Sequence, residues 1–356
     1  MGTVNVPVPA STAPATKLFS PQNTRLRQHG VQSIVPGGSN TMNLLTGFLV
    51  RHLFVRLQFS ITGLTATPTA ADLVGADGWS LLQNVTITIN GSQQIRNLPG
   101  RVLYWLQVLT GKNPPAQGWT FTSTSASFDG TLIIPFSWPD LIHPIDSCLD
   151  ARQIPANAFT VQTNIGTVAS VATGLTGTPV LSNATLTWSA SESYPSANGF
   201  TPPLAIMLPT FNIPGTTGGA ISKQQLQLPS AIPNLSYKGF LVNVQTTSNV
   251  DAPGVLTRWR TISGTTSLQD IDATSYQRQY LQERGNFPTY FANANPVQAT
   301  NAAADNINGW YLFDFAADGY ATEALSMNGV GSFFCNVDTN AASIINVYPI
   351  ALYAAA

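Results

Sequence analysis

The sequence predicts an all-β fold: two tandem β domains, each closed as a two-sheet sandwich or jelly roll, with short helices and long loops. Three observations predict it. Segment after segment alternates apolar and polar residues at a period of two. A block of elements recurs in the same order in the two halves of the chain. At 356 residues the chain is also too long for one ordinary core and suits two domains.

The strands follow in order. Residues 48–59 are rich in β-branched and aromatic side chains, with Leu49, Leu53, Val55, Leu57 and Phe59 expected on one face. Val85, Ile87 and Ile89 alternate with Thr86, Thr88 and Asn90, and Asn90-Gly91 is a type I′ hairpin signal. Residues 132–136, 185–188, 239–244, 310–315 and 344–353 have the same character. Pro135 and Pro349 interrupt two of them, which predicts edges or bulges there, because proline cannot donate to a ladder. Long Gly/Ser/Thr/Asn/Pro/Ala stretches, such as residues 110–129 and 292–308, separate the strands and predict contact-making loops.

Two segments break the β pattern. Residues 99–110 start on a proline, run through Val102, Leu103, Tyr104, Trp105, Leu106, Val108 and Leu109, and stop before Gly111. Residues 272–284 place Tyr276, Tyr280 and Leu281 at helical spacing, with Asp272 and Thr274 as caps and Gly285 as the stop. Both predict helices of about three turns.

The repeat ties these elements together. Gly47-Phe48-Leu49-Val50 recurs as Gly239-Phe240-Leu241-Val242, each following a proline at similar distance (47 − 36 = 11; 239 − 229 = 10). An apolar run containing glutamine precedes each proline, at residues 32–35 and 225–228, and a predicted helix follows each copy. Residues 130–136 and 309–315 then supply a second matched strand. The expected organisation is an N-terminal arm at 1–30, a first roll at 31–195, a linker at 196–216 and a second roll at 217–356. Pro195, Pro202, Pro203, Pro209 and Pro214 predict a stiff connector at the joint.

Composition narrows the function. Only 9% of residues are Asp, Glu, Lys or Arg, where an ordinary soluble domain carries roughly a quarter. A surface built from Ser, Thr, Asn and Gln, with a formal net charge of −1, suits a chain packed against neighbours. The balance argues against specific nucleic-acid binding, which needs clustered Lys and Arg. No apolar run is long enough to span a membrane, and residues 1–16 carry no charged or apolar leader region, so no secretory signal is expected.

No chemistry-bearing pattern emerges. His29, His52 and His143 stand apart from one another and from cysteine, so no metal or other cofactor is expected. Asp140, Asp146 and Asp150 could hold Ca²⁺ through oxygens, but the spacing is not that of an EF-hand, and a solvated loop capped by aspartates is the simpler expectation. Cys148 and Cys335 fit no zinc or redox motif and are expected as buried free thiols. No P-loop, G-x-S-x-G elbow or H-E-x-x-H occurs, and the acidic residues are scattered, so no enzyme activity is expected.

The order of these features resembles that of the double jelly-roll major capsid proteins of the tectivirus and adenovirus lineage, especially those of lipid-containing icosahedral bacteriophages. The carriers are TGFLVRHLFVRLQFSITG at 46–63, SESYPSANGFTPPLAIMLPTF at 191–211, and the run from QERGNFPTYF at 282–291 through GWYLFDF and GVGSFFCNV to IINVYPIALY at 344–353. The resemblance implies two tandem eight-stranded jelly rolls and a structural role in a virion shell. It further implies homotrimers forming pseudo-hexagonal capsomers, lattice contacts between capsomers, penton or minor capsid proteins as partners, synthesis in the host cytoplasm and an internal lipid membrane. No acidic residue precedes Asp72, so Lys17, Arg25 and Arg27 make a basic arm that either faces the interior and its anionic headgroups or is an ordinary solvated terminus that orders on assembly. The alternatives are a jelly-roll glycan-binding spike, with Trp119, Trp138, Tyr194 or Tyr290 stacking on sugar, and an enzyme on tandem rolls.

Overall fold

The computed structural model describes residues 24–69, 72–73, 78–110, 116–136, 148–193, 204–207, 213–217, 222–230, 233–248, 251–252, 254–273, 275–276, 309–315 and 324–354. The first half contains β1 (Thr24–Ser33), β2 (Ser39–Asn43), β3 (Leu49–Leu64), β4 (Leu82–Ile89) and β5 (Gln93–Leu98). It continues with α1 (Gly100–Thr110), β6 (Ala116–Phe121), β7 (Ser125–Pro135), β8 (Leu149–Asp150), β9 (Thr160–Ile165) and β10 (Gly177–Ser193). The second half contains β11 (Leu204–Met207), β12 (Ile213–Thr217), β13 (Ser222–Leu228), β14 (Leu235–Gln245) and β15 (Leu256–Ser263). It closes with β16 (Thr266–Asp272), β17 (Trp310–Asp314), β18 (Leu325–Ser326), β19 (Phe333–Thr339) and β20 (Ser343–Ala354).

All pairing between these strands is antiparallel and stays within its half. One sheet of the first half runs β1-β10-β3-β7, extended by β6, and the other runs β2-β9-β4-β5. The second half repeats this order: β12-β20-β14-β17, with β11 continuing the β12 edge, and β13-β19-β15-β16. Each half is therefore a jelly roll of two four-stranded sheets, decorated with short extra strands. The period-two pattern explains the closure. In β3, Leu53, Val55, Leu57, Phe59 and Ile61 point inward and are buried, against Val85 and Ile87 of β4 and Val161 of β9. Phe240, Val242 and Val244 of β14 do the same in the second roll, against Trp259, Val337 and Phe333. Asn90 and Gly91 both have positive φ, 53° and 77°, which is the type I′ hairpin geometry joining β4 to β5.

Pro349 is tolerated inside the central strand β20 for a local reason. β12 pairs with residues up to Val347 and β11 resumes at Ala351, so Pro349 lies in the gap between the two partners. A register shift at Lys238 of β14 lies opposite this gap. Pro135 closes β7 at its last residue.

Several expectations are corrected. The arm expected at residues 1–30 ends earlier: residues 24–30 form most of β1, paired along β10. The expected linker holds β11 and the start of β12, both on the edge of β20, where prolines limit strands to short pieces. The two apolar runs before Pro36 and Pro229 are not equivalent. The first ends β1, whereas the second is β13, the counterpart of β2. The GFLV copies are also offset. Leu241 pairs with Leu312, but the residue facing Ile133 is Phe54 rather than Leu49, a shift of 54 − 49 = 5. That shift equals the extra length of β3, 16 residues, over β14, 11 residues. The helix expected at 99–110 is α1. Of the one expected at 272–284, Ala273, Ser275 and Tyr276 are helical, and residues 277–284 lie outside the described residues.

Candidate assembly surfaces

The rolls meet through α1. Residues 102–110 of this helix are all buried, which an amphipathic surface helix would not be. One side rests on β4 and β7 of its own roll, and the other rests on the outer face of the second roll's β12-β20-β14-β17 sheet. Adjacent strands of that sheet align Tyr348, Leu241 and Leu312 in one outward row, with Trp310 in the next. Trp105 of α1 stacks on Trp310 at 5.8 Å between ring centroids, with planes 16° apart. Both faces of β14 are thereby covered, which is why residues 237–244 are buried without alternation.

A buried ionic cluster seals the same joint. Arg101 of α1 pairs with Asp251 of the second roll. Asp251 also accepts from Asn243 at 3.1 Å and from the indole N–H of Trp310 at 3.1 Å. Low dielectric strengthens such a network only when its acceptors are satisfied, and here the carboxylate collects several donors.

On the matching outer sheet face of the first roll, no helix among the described residues plays the part of α1. Register places Val31, Thr187, Arg56 and Thr131 in one outward row, Gln28, Ser189, Phe54 and Ile133 in the next, and Ser33, Thr185, Gln58 and Asp129 in a third. Leu26 and Val31 of the edge strand β1 are 70% and 57% exposed. Arg56 forks onto Asp129 at 2.9 and 2.6 Å, and this bond holds the Asp129 carboxyl below its usual range. A trough of about 320 Å³ opens beside it, where Gly118 of β6 leaves space next to Gln58, Ser127 and Thr185. The face is hydroxyl-rich, and its Arg56–Asp129 pair is internally neutral.

Arg25 and Arg27 do not project as a loose basic arm. Both flank the buried carboxylate of Glu192, at 3.2 and 3.9 Å, and both lie over the Phe48 ring, at 5.4 and 5.2 Å. Their side chains remain 43% and 35% exposed. His29 is buried beside them. Its Nδ1 accepts the Leu45 backbone N–H at 3.1 Å, so Nε2 carries the proton it donates to Glu192 at 2.6 Å. Lys17 lies outside the described residues.

The remaining candidates are dispersed. His52 stands on β3, with Nδ1 shielded from solvent and without a hydrogen-bond partner. Burial, and then the neighbouring Arg51 charge, push its pKa down to about 3. His143, Asp140 and Asp146 lie outside the described residues, while Asp150 is engaged by Arg152 at 2.7 Å and by Gln153 at 3.1 Å. Cys148 and Cys335 are both buried. Among the described residues no group of His, Cys, Asp and Glu could hold a metal ion, and no helix is long and apolar enough to cross a membrane. Trp119 packs against Phe59, Phe121 and Phe128 at 5.2–6.0 Å. Trp138, Tyr194 and Tyr290 lie outside the described residues.

No family model matches the sequence. No curated protein matches it either. Solved structures do. A chain in the atomic structure of Sulfolobus Turreted Icosahedral Virus is 15% identical, with a TM-score of 0.67 over 92% of this chain and 90% of that one. The major capsid protein P2 from Bacteriophage PM2 is 11% identical, with a TM-score of 0.60 over 94% and 98%. A chain of the PBCV-1 virus capsid is 12% identical, with a TM-score of 0.54 over 92% of each. These neighbours are double jelly-roll major capsid proteins, and this chain has their fold along nearly its whole length.

Proposed function

We propose that this chain is the major capsid protein of an icosahedral virus, with a structural and not an enzymatic role. Three copies form a pseudo-hexagonal capsomer, and capsomers meet laterally in the shell. The observation that carries this reading is the equivalence of the two rolls in sheet order, joined through α1. Two like rolls in each of three chains approximate sixfold symmetry, and a near-hexagonal tile packs in a lattice.

The charge distribution supports it. The few charged side chains pair across neighbouring strands or turns, as in Arg56–Asp129, Arg152–Asp150, Arg258–Asp270 and the fully buried Lys238–Asp314. Flat walls of hydroxyl and amide groups can then meet without stripping water from isolated ions, which is costly. The same reading places the chain in the virion shell after synthesis in the host cytoplasm, with penton or minor capsid proteins filling special positions. It puts the end of the first roll bearing Arg25 and Arg27 toward an internal membrane, with Lys17 of the preceding segment as a further cation; a cation near such a surface contributes about 1 kcal/mol of attraction to anionic headgroups. A glycan-binding spike is less well supported, because Trp119 is committed to packing against three phenylalanines.

Native mass by size-exclusion chromatography with light scattering tests the capsomer. One chain is 37.8 kDa, so the expected species is 3 × 37.8, about 113 kDa. A monomer that persists at high concentration contradicts the reading.

A further inference from the structure

The second roll buries an ion pair for which neither its fold nor its proposed assembly gives a reason. Lys238 of β14 and Asp314 of β17 have side chains 1% and 2% exposed, and Lys238 Nζ lies 2.6 Å from Asp314 Oδ2. Apolar side chains in place of such a pair are often neutral or stabilising, so stability alone does not account for it.

The backbone is shaped around this contact. Gly239 pairs with Asp314 of β17 and with Ile350 of β20, and a register shift between Tyr237 and Gly239 leaves Lys238 as the extra residue of a bulge. A bulge re-aims a side chain. The Phe315 backbone N–H donates to the Lys238 carbonyl at 2.7 Å. A Cβ at Gly239 would stand 2.4 Å from the Phe313 carbonyl oxygen and 3.1 Å from Asp314 Cα, so glycine is what lets the strands approach here. Tyr276 fixes the backbone of Asp314: its hydroxyl accepts the Asp314 N–H at 3.1 Å and donates to the Asp314 carbonyl at 3.4 Å.

We propose that Lys238 and Asp314 condense after folding into an isopeptide bond that joins β14 to β17. A lysine amine is a nucleophile, a carboxyl carbon is its electrophile, and a fixed contact replaces their encounter in solution. The step needs no reagent. One proton passes from the ammonium to the carboxylate along the 2.6 Å hydrogen bond. The freed lone pair attacks Cγ and the Nζ–Cγ bond forms. A second Nζ proton then goes to the departing hydroxyl as its bond to Cγ breaks. One amide and one water result, so atoms and charge balance. Burial favours this direction, because the reactants are two desolvated charges and the product is a neutral amide. The bond would staple β14 to the strand that carries Trp310, the partner of Trp105 in the joint. It goes beyond the capsomer reading and does not depend on it.

Intact mass under denaturing conditions, which separates a merely ionic pair, reads the bond directly. The full chain purified in its folded state should weigh one water less than its sequence. The same chain recovered unfolded and kept in denaturant should have the full mass, and should lose the water on refolding. A tryptic digest of the folded protein should join the segment around residue 238 to that around residue 314, with no cleavage after Lys238. Lys238→Arg keeps a cation beside Asp314 without the nucleophilic amine, and it should retain the full mass. Lys238→Met is the second variant, with the same expectation. Should neither variant fold, the joined peptide in the wild-type digest decides the matter. A folded wild type of full mass that trypsin cleaves after Lys238 overturns the proposal. So does a lost water that K238R also loses, because it then lies elsewhere, as in a succinimide at Asp129-Gly130.

Discussion

At the scale of single residues, the chain limits charge by pairing it. Glu192 is wholly buried, yet it is reached by Arg25, Arg27 and His29, and Lys238 meets Asp314 at 2.6 Å with both side chains out of solvent. None of this was legible in the sequence. Arg25 stands 167 positions from Glu192, and only the pairing of β1 with β10 brings them together. A basic stretch with no acid before Asp72 predicts a loose arm, and the structure instead ties its inner end into a strand. His52 carries a measurable consequence. Its pKa is held near 3 in the folded protein, against 6.5 for a free histidine, by burial first and Arg51 second. The folded ring stays neutral while the unfolded one gains a proton below pH 6.5. Stability from this residue is therefore full above about pH 6.5 and is lost as pH falls toward 3, by about 1.4 kcal/mol per pH unit. Denaturant unfolding between pH 7 and 4.5 should show this slope in the wild type and a flatter profile in His52→Gln. Equal slopes in the two proteins would remove the assignment.

At the scale of elements, α1 shows what pattern reveals and what it leaves hidden. Its limits were visible, because Pro99 suits a helix start and Gly111 a stop. Its apolar residues fall on all sides, which says that it is covered on all sides but not by what. The cover is the second roll, and the contact is long-range in sequence. Trp105→Ala removes the stack on Trp310 and opens a cavity in the joint, at a cost of about 3–5 kcal/mol. The denaturant midpoint should fall accordingly, and the rolls should begin to unfold in separate transitions. One transition with an unchanged midpoint would mean that α1 is not what couples them. The strands were legible for the opposite reason. Period-two alternation is local, so β3, β4, β10 and β20 follow from it, whereas register is set by partners. That is why the GFLV phrase marks a true repeat yet misaligns its copies by five residues, the difference between β3 and β14 in length.

At the scale of the whole molecule, two jelly rolls share one strand order and one direction of docking. Duplication was readable from the recurring order of strand, helix and strand, although no single matched phrase would have carried it. Low charge pointed to packing against neighbours, and the structure supplies the neutral face on which that packing can occur. What no sequence pattern could supply is the asymmetry between the rolls: the second has its outer sheet face covered by α1, and among the described residues no helix covers the same face of the first. On the proposed capsomer reading, one chain supplies two of the six rolls of a ring. Electron microscopy of the purified assembly, viewed face-on, tests this most directly. Six lobes in a near-hexagonal outline are expected, two from each of three chains. Isolated two-lobed particles, at concentrations where the protein is otherwise folded and soluble, would contradict it.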